Sequence, residues 1–67
     1  MTEQEIRARL RRINHIGVPM TTMARDAGVH IQTIKRLLSD QEVWRLRDAT
    51  KEIMEDYIEW IKSTLGF

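Results

Sequence analysis

The chain has 67 residues and a formal net charge of +1, with two histidines and no cysteine. This length allows one domain, whose core supplies only about 3–5 kcal/mol of net stability. The missing cysteines exclude disulfides and thiolate metal sites, and two distant histidines argue against zinc. No apolar run approaches the roughly 20 residues that span a bilayer. The acidic start lacks the features of a signal peptide, so we expect a cytoplasmic domain stabilised by helix packing or oligomerisation.

The charges divide unevenly along the chain. Residues 1–47 contain nine Lys and Arg against five Asp and Glu, a net of +4, whereas residues 48–67 contain two against five, a net of −3. Such asymmetry is typical of a protein that turns one face towards an anionic partner. An ordinary solvated helix surface explains the pattern equally well, so charge alone does not decide between them.

The first predicted helix runs from about residue 3 to residue 14. Thr2 and Glu5 form the T-x-x-E pattern of a capping box at its start. Apolar residues then recur at intervals of four and three, which predicts one buried stripe: Ile6, Leu10 and Ile13. Four arginines fall off this stripe and are expected to face water or phosphate: Arg7, Arg9, Arg11 and Arg12.

Two short helices are predicted next. The second helix begins near Pro19–Thr21 and ends at Gly28, because proline suits a first-turn position and glycine suits the left-handed residue after a helix. The third helix runs from about Ile31 to Leu38. His30 stands where Ser or Thr is the usual cap, so we expect this helix to begin without a good capping residue.

The last predicted helix is the longest, from about residue 48 to residue 65, with Asp48 as its expected N-cap. Apolar residues recur along it at three- and four-residue intervals. Its length is about 27 Å, more than so small a core is expected to cover. We therefore expect its distal part to pack against a second copy of the chain, in a dimer interface formed by Tyr57, Trp60, Ile61, Leu65 and Phe67.

Several features of a tight two-helix unit coincide within Met20–Ser39. Ala24 is small where two helices would cross, and Gly28 follows four residues later, where a sharp turn needs positive φ. Val29 and Ile34 can fill the angle between the helices. A two-helix unit that turns through about 90–120° needs this combination, and its second helix can then enter a major groove. Further apolar residues supply the two helices with inner faces: Met23, Ala27, Leu37 and Leu38.

This segment resembles the helix-turn-helix of lambda-repressor-like DNA-binding proteins, which include the phage Cro and repressor domains. The shared arrangement, A-x-x-x-G-V-x-x-x-T-I-x-x-x-L, is carried here by Ala24, Gly28, Val29, Thr33, Ile34 and Leu38. The stretch TMARDAGVHIQTIKRLLSD and the later residues 47–53 are also similar to the lac-repressor-type headpiece. The resemblance implies a compact all-α domain of four to five helices over residues 1–67, with a central helix-turn-helix at about 20–39.

The resemblance implies that the third helix enters the major groove of DNA. Its expected exposed positions are His30, Ile31, Gln32, Thr33, Lys35 and Arg36. Gln32 would bond an adenine edge, Arg36 a guanine edge, and Ile31 would touch a thymine methyl unless it belongs to the core. Phosphate contacts, which fix register without reading sequence, are expected from Thr22, Thr33, Lys35, Arg45 and Arg47.

The function implied is a sequence-specific, double-stranded DNA-binding transcription regulator that acts as a homodimer, without cofactor, metal or small-molecule ligand. Two copies would place their recognition helices about 34 Å apart, in successive major grooves. An enzyme is not expected, because the chain has no nucleophile motif and no Gly-rich phosphate loop. Two alternatives stay open, a protein-interaction module or inhibitor with the same fold and an excisionase-like protein that bends DNA.

Overall fold

The computed structural model describes residues 1–39 and 46–66, and these residues form four α-helices and no strand. The predicted all-α class is therefore confirmed, and each helix begins and ends within a residue of its prediction. The helices are α1 (Glu3–His15), α2 (Met20–Ala27), α3 (Ile31–Leu38) and α4 (Asp48–Leu65). Within the described ranges, no helix is both long and apolar enough to cross a membrane.

The start of α1 is capped by Thr2, as predicted. The Thr2 hydroxyl oxygen accepts a hydrogen bond from the backbone N–H of Glu5 at 3.2 Å. The same hydroxyl donates to Glu5 Oε1 at 3.3 Å, so the two side chains interact directly. The predicted apolar stripe of α1 is buried along its whole length, at Ile6, Leu10 and Ile13.

The turn between α2 and α3 depends on Gly28. Its φ of +75° lies in the left-handed region that glycine adopts without steric cost. The N–H of Gly28 donates to the Arg25 carbonyl at 3.3 Å, and the N–H of Val29 donates to the Ala24 carbonyl at 3.0 Å. These two bonds form a Schellman motif, which satisfies the last carbonyls of α2 and fixes the direction in which the chain leaves it.

Two predictions about helix caps were wrong. α3 does begin with a side-chain cap, because His30 Nδ1 accepts a hydrogen bond from the Gln32 N–H at 3.1 Å. Nδ1 is as many bonds from the backbone as an Asn or Asp side-chain oxygen, so it reaches the same N–H. At α4 the cap position belongs to Arg47, which makes no side-chain cap bond. Asp48 is instead the first helical residue, where its charge still favours the helix dipole.

The core lies where α1 and α2 pack against both α3 and α4. Eleven apolar residues from all four helices are buried in it, namely Ile6, Leu10, Ile13, Met23, Ala24, Ile34, Leu37, Met54, Tyr57, Ile58 and Ile61. Partly buried apolar residues pack around this core, and Val29 and Ala27 at the α2–α3 turn are among them. One core therefore holds the inner sides of α3 and α4 and leaves their outer sides exposed.

Candidate nucleic-acid interface

The exposed side of α3 is formed by Gln32, Lys35 and Arg36. Residues spaced by three and four positions lie on the same side of an α-helix, so these three side chains are neighbours. On the opposite side, Ile34 and Leu37 are completely buried in the core. The orientation of α3 therefore presents one amide and two cationic side chains together to solvent.

The other residues predicted to contact DNA are not all exposed beside these three side chains. Ile31 is partly buried and packs against the core. It therefore belongs to the apolar side of α3, so of its two predicted positions the core position is observed and the exposed one is not. Thr22 and Thr33 are also only partly exposed, whereas His30 is exposed at the start of α3. Ile31 faces the core because it lies three residues before Ile34, and this spacing puts both side chains on the inner side of α3.

The C-terminal end of α3 is held by α1. Arg7 Nη1 donates to the Ser39 carbonyl at 3.1 Å and to the Arg36 carbonyl at 3.3 Å. Arg7 Nη2 also bonds Glu3 Oε1 at 3.2 Å, one turn earlier in α1. Arg11 Nη2 adds a longer bond to the Ser39 carbonyl at 3.4 Å. Cationic donors are favourable at a helix C-terminus because the helix dipole is negative there. The Arg36 carbonyl also accepts a hydrogen bond from the Ser39 hydroxyl at 2.9 Å.

The contacts of Arg7 correct one prediction. Its side chain is only 13% exposed, so it does not face water or phosphate as expected from its position off the apolar stripe. Arg7 is instead a residue that positions α3, whereas Arg11 makes its bond to the Ser39 carbonyl and stays exposed. That hydrogen-bond donors would be required at the end of α3 was predictable, because the last carbonyls of any α-helix lack N–H partners within the helix. Which helix would supply the donors depended on the packing.

The charge of α3 is entirely positive. Its sequence, IQTIKRLL, contains no acidic residue, and both cations lie in its last turn. Cations there also stabilise the helix dipole, so part of their role is structural. Exposed Arg47 belongs to the start of α4, and its predicted phosphate contact remains a prediction. The predicted contact of Arg45 lies outside the described residues.

A second exposed surface lies between α2 and α4. A cleft of about 320 Å³, called here the α2–α4 cleft, is lined by Asp26, Ala27, Ile53, Asp56, Tyr57 and Trp60. Ile53 is 39% exposed and Trp60 is 52% exposed. Ile53, Asp56 and Trp60 are spaced by three and four residues, so they form one stripe along α4.

This surface revises the predicted dimer interface. Tyr57 and Ile61 are 3% and 4% exposed in the chain's own core, so they offer a partner almost no apolar surface and the prediction was wrong for them. Trp60 and Leu65 are both 52% exposed. They are five positions apart, which places them about 140° apart around the helix and on different sides. Phe67 lies outside the described residues.

Tyr57 also carries an unusual polar atom. Its hydroxyl oxygen, Oη, is buried, and no hydrogen-bond partner lies within reach among the described residues. Burial raises the pKa of Tyr57 above its ordinary value, and the nearby Asp26 carboxylate raises this pKa further. The Tyr57 and Trp60 rings are 6.1 Å apart between centroids and tilted by 31°. The cleft therefore combines a negative environment with an aromatic wall.

Comparisons with protein-family models, with curated proteins and with solved structures find no match to this chain. Its function is therefore inferred from the geometry and charge of the chain itself.

Proposed function

We propose that the chain is a sequence-specific DNA-binding regulator of the lambda-repressor-like type, with α3 as its recognition helix. The observation that carries the proposal is the shared exposed side of Gln32, Lys35 and Arg36, opposite a side of α3 that is fully buried. A helix presented in this way can enter the major groove, which is wide enough for one α-helix.

The three exposed side chains suit two kinds of DNA contact. The Gln32 amide can bond N6 and N7 of adenine, and the Arg36 guanidinium can bond O6 and N7 of guanine. Each such two-bond contact contributes about 1–3 kcal/mol of discrimination against a wrong base. Lys35 is a point charge suited to phosphate, which strengthens binding without reading sequence. The Arg7 contacts support this reading, because they hold α3 in a fixed orientation.

As a regulator, the chain would act in the cytoplasm as a homodimer. A single recognition helix makes few base contacts, and joining two of them raises affinity through effective concentration. The two copies of α3 would lie about 34 Å apart, which predicts a site with twofold symmetry and that half-site spacing.

Selection of bound duplexes from a random pool tests this function directly. We expect a symmetric consensus, whose affinity falls by about tenfold in Arg36→Ala and in Gln32→Ala, each with relaxed preference at one base pair. Lys35→Ala should weaken all duplexes alike and reduce the salt slope by about 1. Arg9→Ala is the matched control, because it removes the same charge from an exposed site on α1 that lines a groove against α4.

Three results would contradict the proposal. A pool without enrichment, together with no retention on heparin at low salt, would favour the protein-interaction module instead. A consensus that is unaffected by Arg36→Ala and Gln32→Ala would place the reading surface elsewhere. A strong bend in a circular-permutation gel without base preference would favour the DNA-bending accessory protein.

A further inference from the structure

Two exposed apolar side chains lie together in the α2–α4 cleft. Ile53 is 39% exposed and Trp60 is 52% exposed, and both line this cleft. Their spacing along the chain is close to two full helical turns, so they lie on the same side of α4. Single apolar side chains on a surface need no explanation, whereas adjoining ones bordered by polar residues mark an interaction site. This apolar pair is therefore a candidate binding surface.

Acidic side chains border the apolar pair on both helices. Asp56 lines the cleft from α4 and Asp26 lines it from α2, and no Lys or Arg is among the described residues of its lining. Exposed Glu52 and Glu59 are spaced by four and three residues from Asp56, so they extend the acidic side along α4. Arg25 Nε approaches Asp26 Oδ1 at 3.6 Å. An exposed contact of this kind contributes little stability, so both carboxylates remain available to a partner.

The described helices of the chain itself present no counterpart to this surface. A counterpart needs cations beside an exposed apolar stripe. The arginine-rich helix α1 buries its apolar stripe in the core, and α3 buries Ile34 and Leu37 in the same way. Acidic side chains also repel the phosphates of DNA. A basic segment of a different protein is therefore favoured over a second copy and over DNA.

We propose that the α2–α4 cleft binds a basic amphipathic helix of a partner protein. The apolar side of that helix would pack on Ile53 and Trp60, as an amphipathic helix does in a groove. Its Lys or Arg side chains would pair with Asp26 and Asp56 through charged hydrogen bonds, and one of them would lie over the Trp60 ring. Tryptophan is enriched among the residues that dominate interface affinity, which makes Trp60 the expected anchor.

This inference goes beyond the proposed function and does not depend on it. The cleft shares no residue with the exposed side of α3, so a failure of DNA binding would leave it unaffected. The proposal assigns Trp60, which was predicted for the dimer interface, to a partner protein. It leaves Leu65 outside the cleft, because Trp60 and Leu65 lie on different sides of α4.

Selection of peptides from a random library displayed on phage, with the whole folded chain as target and no DNA present, tests the occupant. We expect enriched sequences in which Lys or Arg recur beside apolar residues at intervals of three and four. One enriched peptide, made synthetically, is then titrated into the isotope-labelled chain. The amide signals of Asp26, Ala27, Ile53 and Asp56 should shift most, and those on the exposed side of α3 should stay in place.

Two substitutions at exposed residues test the contacts by calorimetry. Trp60→Ala removes the anchor and Asp56→Lys reverses a charge, so each should weaken peptide binding about tenfold or more. Leu65→Ala removes an equally exposed apolar side chain from another side of α4 and should leave the affinity unchanged. Among versions of the peptide with a single cation changed to glutamate, one should bind Asp56→Lys better than the original peptide does. Helical circular dichroism verifies that each variant is folded.

Three outcomes would overturn the proposal. No enrichment, or enriched peptides without cations, would exclude a basic helix as the occupant. Native affinity in both Trp60→Ala and Asp56→Lys would place the peptide on another surface. In sedimentation equilibrium, a native dimer that dissociates in Trp60→Ala but not in Leu65→Ala would make a second copy the occupant. A failed duplex selection beside a successful peptide selection removes the DNA-binding function alone.

Discussion

α3 and α4 bury their inner sides in the same core, but their outer sides carry opposite chemistry. α3 exposes Gln32, Lys35 and Arg36. The outer side of α4 carries acidic residues together with Ile53 and Trp60, namely Glu52, Asp56 and Glu59. A cationic polar side attracts a polyanion, whereas an acidic apolar side is repelled by phosphate and suits a protein surface. The difference shows that one small core can present two surfaces of opposite charge.

The two helices also differ in how far they depend on the rest of the fold. α3 has eight residues and α4 has eighteen. Helices shorter than about 12–15 residues are marginal in water without tertiary packing. The cationic side of α3 therefore exists only because the core and the Arg7 contacts hold that helix. Substitutions that remove this packing or these contacts should therefore have the largest effects on stability.

The largest effect is expected from Ile34→Ala, because Ile34 is completely buried on the inner side of α3. Such a truncation costs about 2–5 kcal/mol, comparable with the whole net stability of about 3–5 kcal/mol for a domain of this size. Thermal unfolding followed by circular dichroism should show a largely unfolded chain. Leu65→Ala, at a side chain that is 52% exposed on α4, is the control and should change stability by less than about 1 kcal/mol. Equal melting temperatures for the two variants would contradict the comparison.

Arg7→Met should have an intermediate effect, about 1–2 kcal/mol, because the carbonyls of Arg36 and Ser39 lose a charged donor. Methionine keeps the apolar stem that packs beneath the guanidinium. Urea unfolding gives the total cost, and hydrogen exchange should show faster opening of α3 than of α4. Arg9→Met, at an exposed residue of the same helix, should behave like the native chain. Unchanged exchange in α3 would mean that Arg7 does not position it.

Tyr57→Phe should have the smallest effect and the opposite sign. Removing a buried hydroxyl without a partner should stabilise the monomer by about 1 kcal/mol. We expect a higher midpoint in urea unfolding at low protein concentration. A lower midpoint for the phenylalanine variant would show that the hydroxyl has a stabilising partner within the chain.

The same variant should alter the response to alkali. Burial and Asp26 raise the pKa of Tyr57 in the folded chain. The folded chain then holds this proton more tightly than the unfolded chain does, so the contribution of Tyr57 is complete below the ordinary pKa near 10 and is lost as pH rises through the folded pKa. Melting temperatures between about pH 8 and pH 11 should fall more steeply for the native chain than for Tyr57→Phe. Parallel curves would contradict this linkage.

Local signals were sufficient for the helices themselves. The predicted limits of α3 and α4, 31–38 and 48–65, match the structure because apolar spacing and the glycines Gly28 and Gly66 act within a few residues of where they stand. The burial of Ile34 and the left-handed conformation of Gly28 followed from the same local pattern. The exposed side of α3 was also largely predictable, since Gln32, Lys35 and Arg36 avoid the apolar stripe.

Only the tertiary structure decided which surfaces these helices present to one another and to solvent. It placed Arg7 on the end of α3 and buried Tyr57 and Ile61 in the chain's own core. It also separated Trp60 from Leu65 and brought Asp26 of α2 beside Asp56 of α4. Each of these facts depends on packing between residues far apart in the chain, and the periodicity of one helix carries no information about which other helix will cover it.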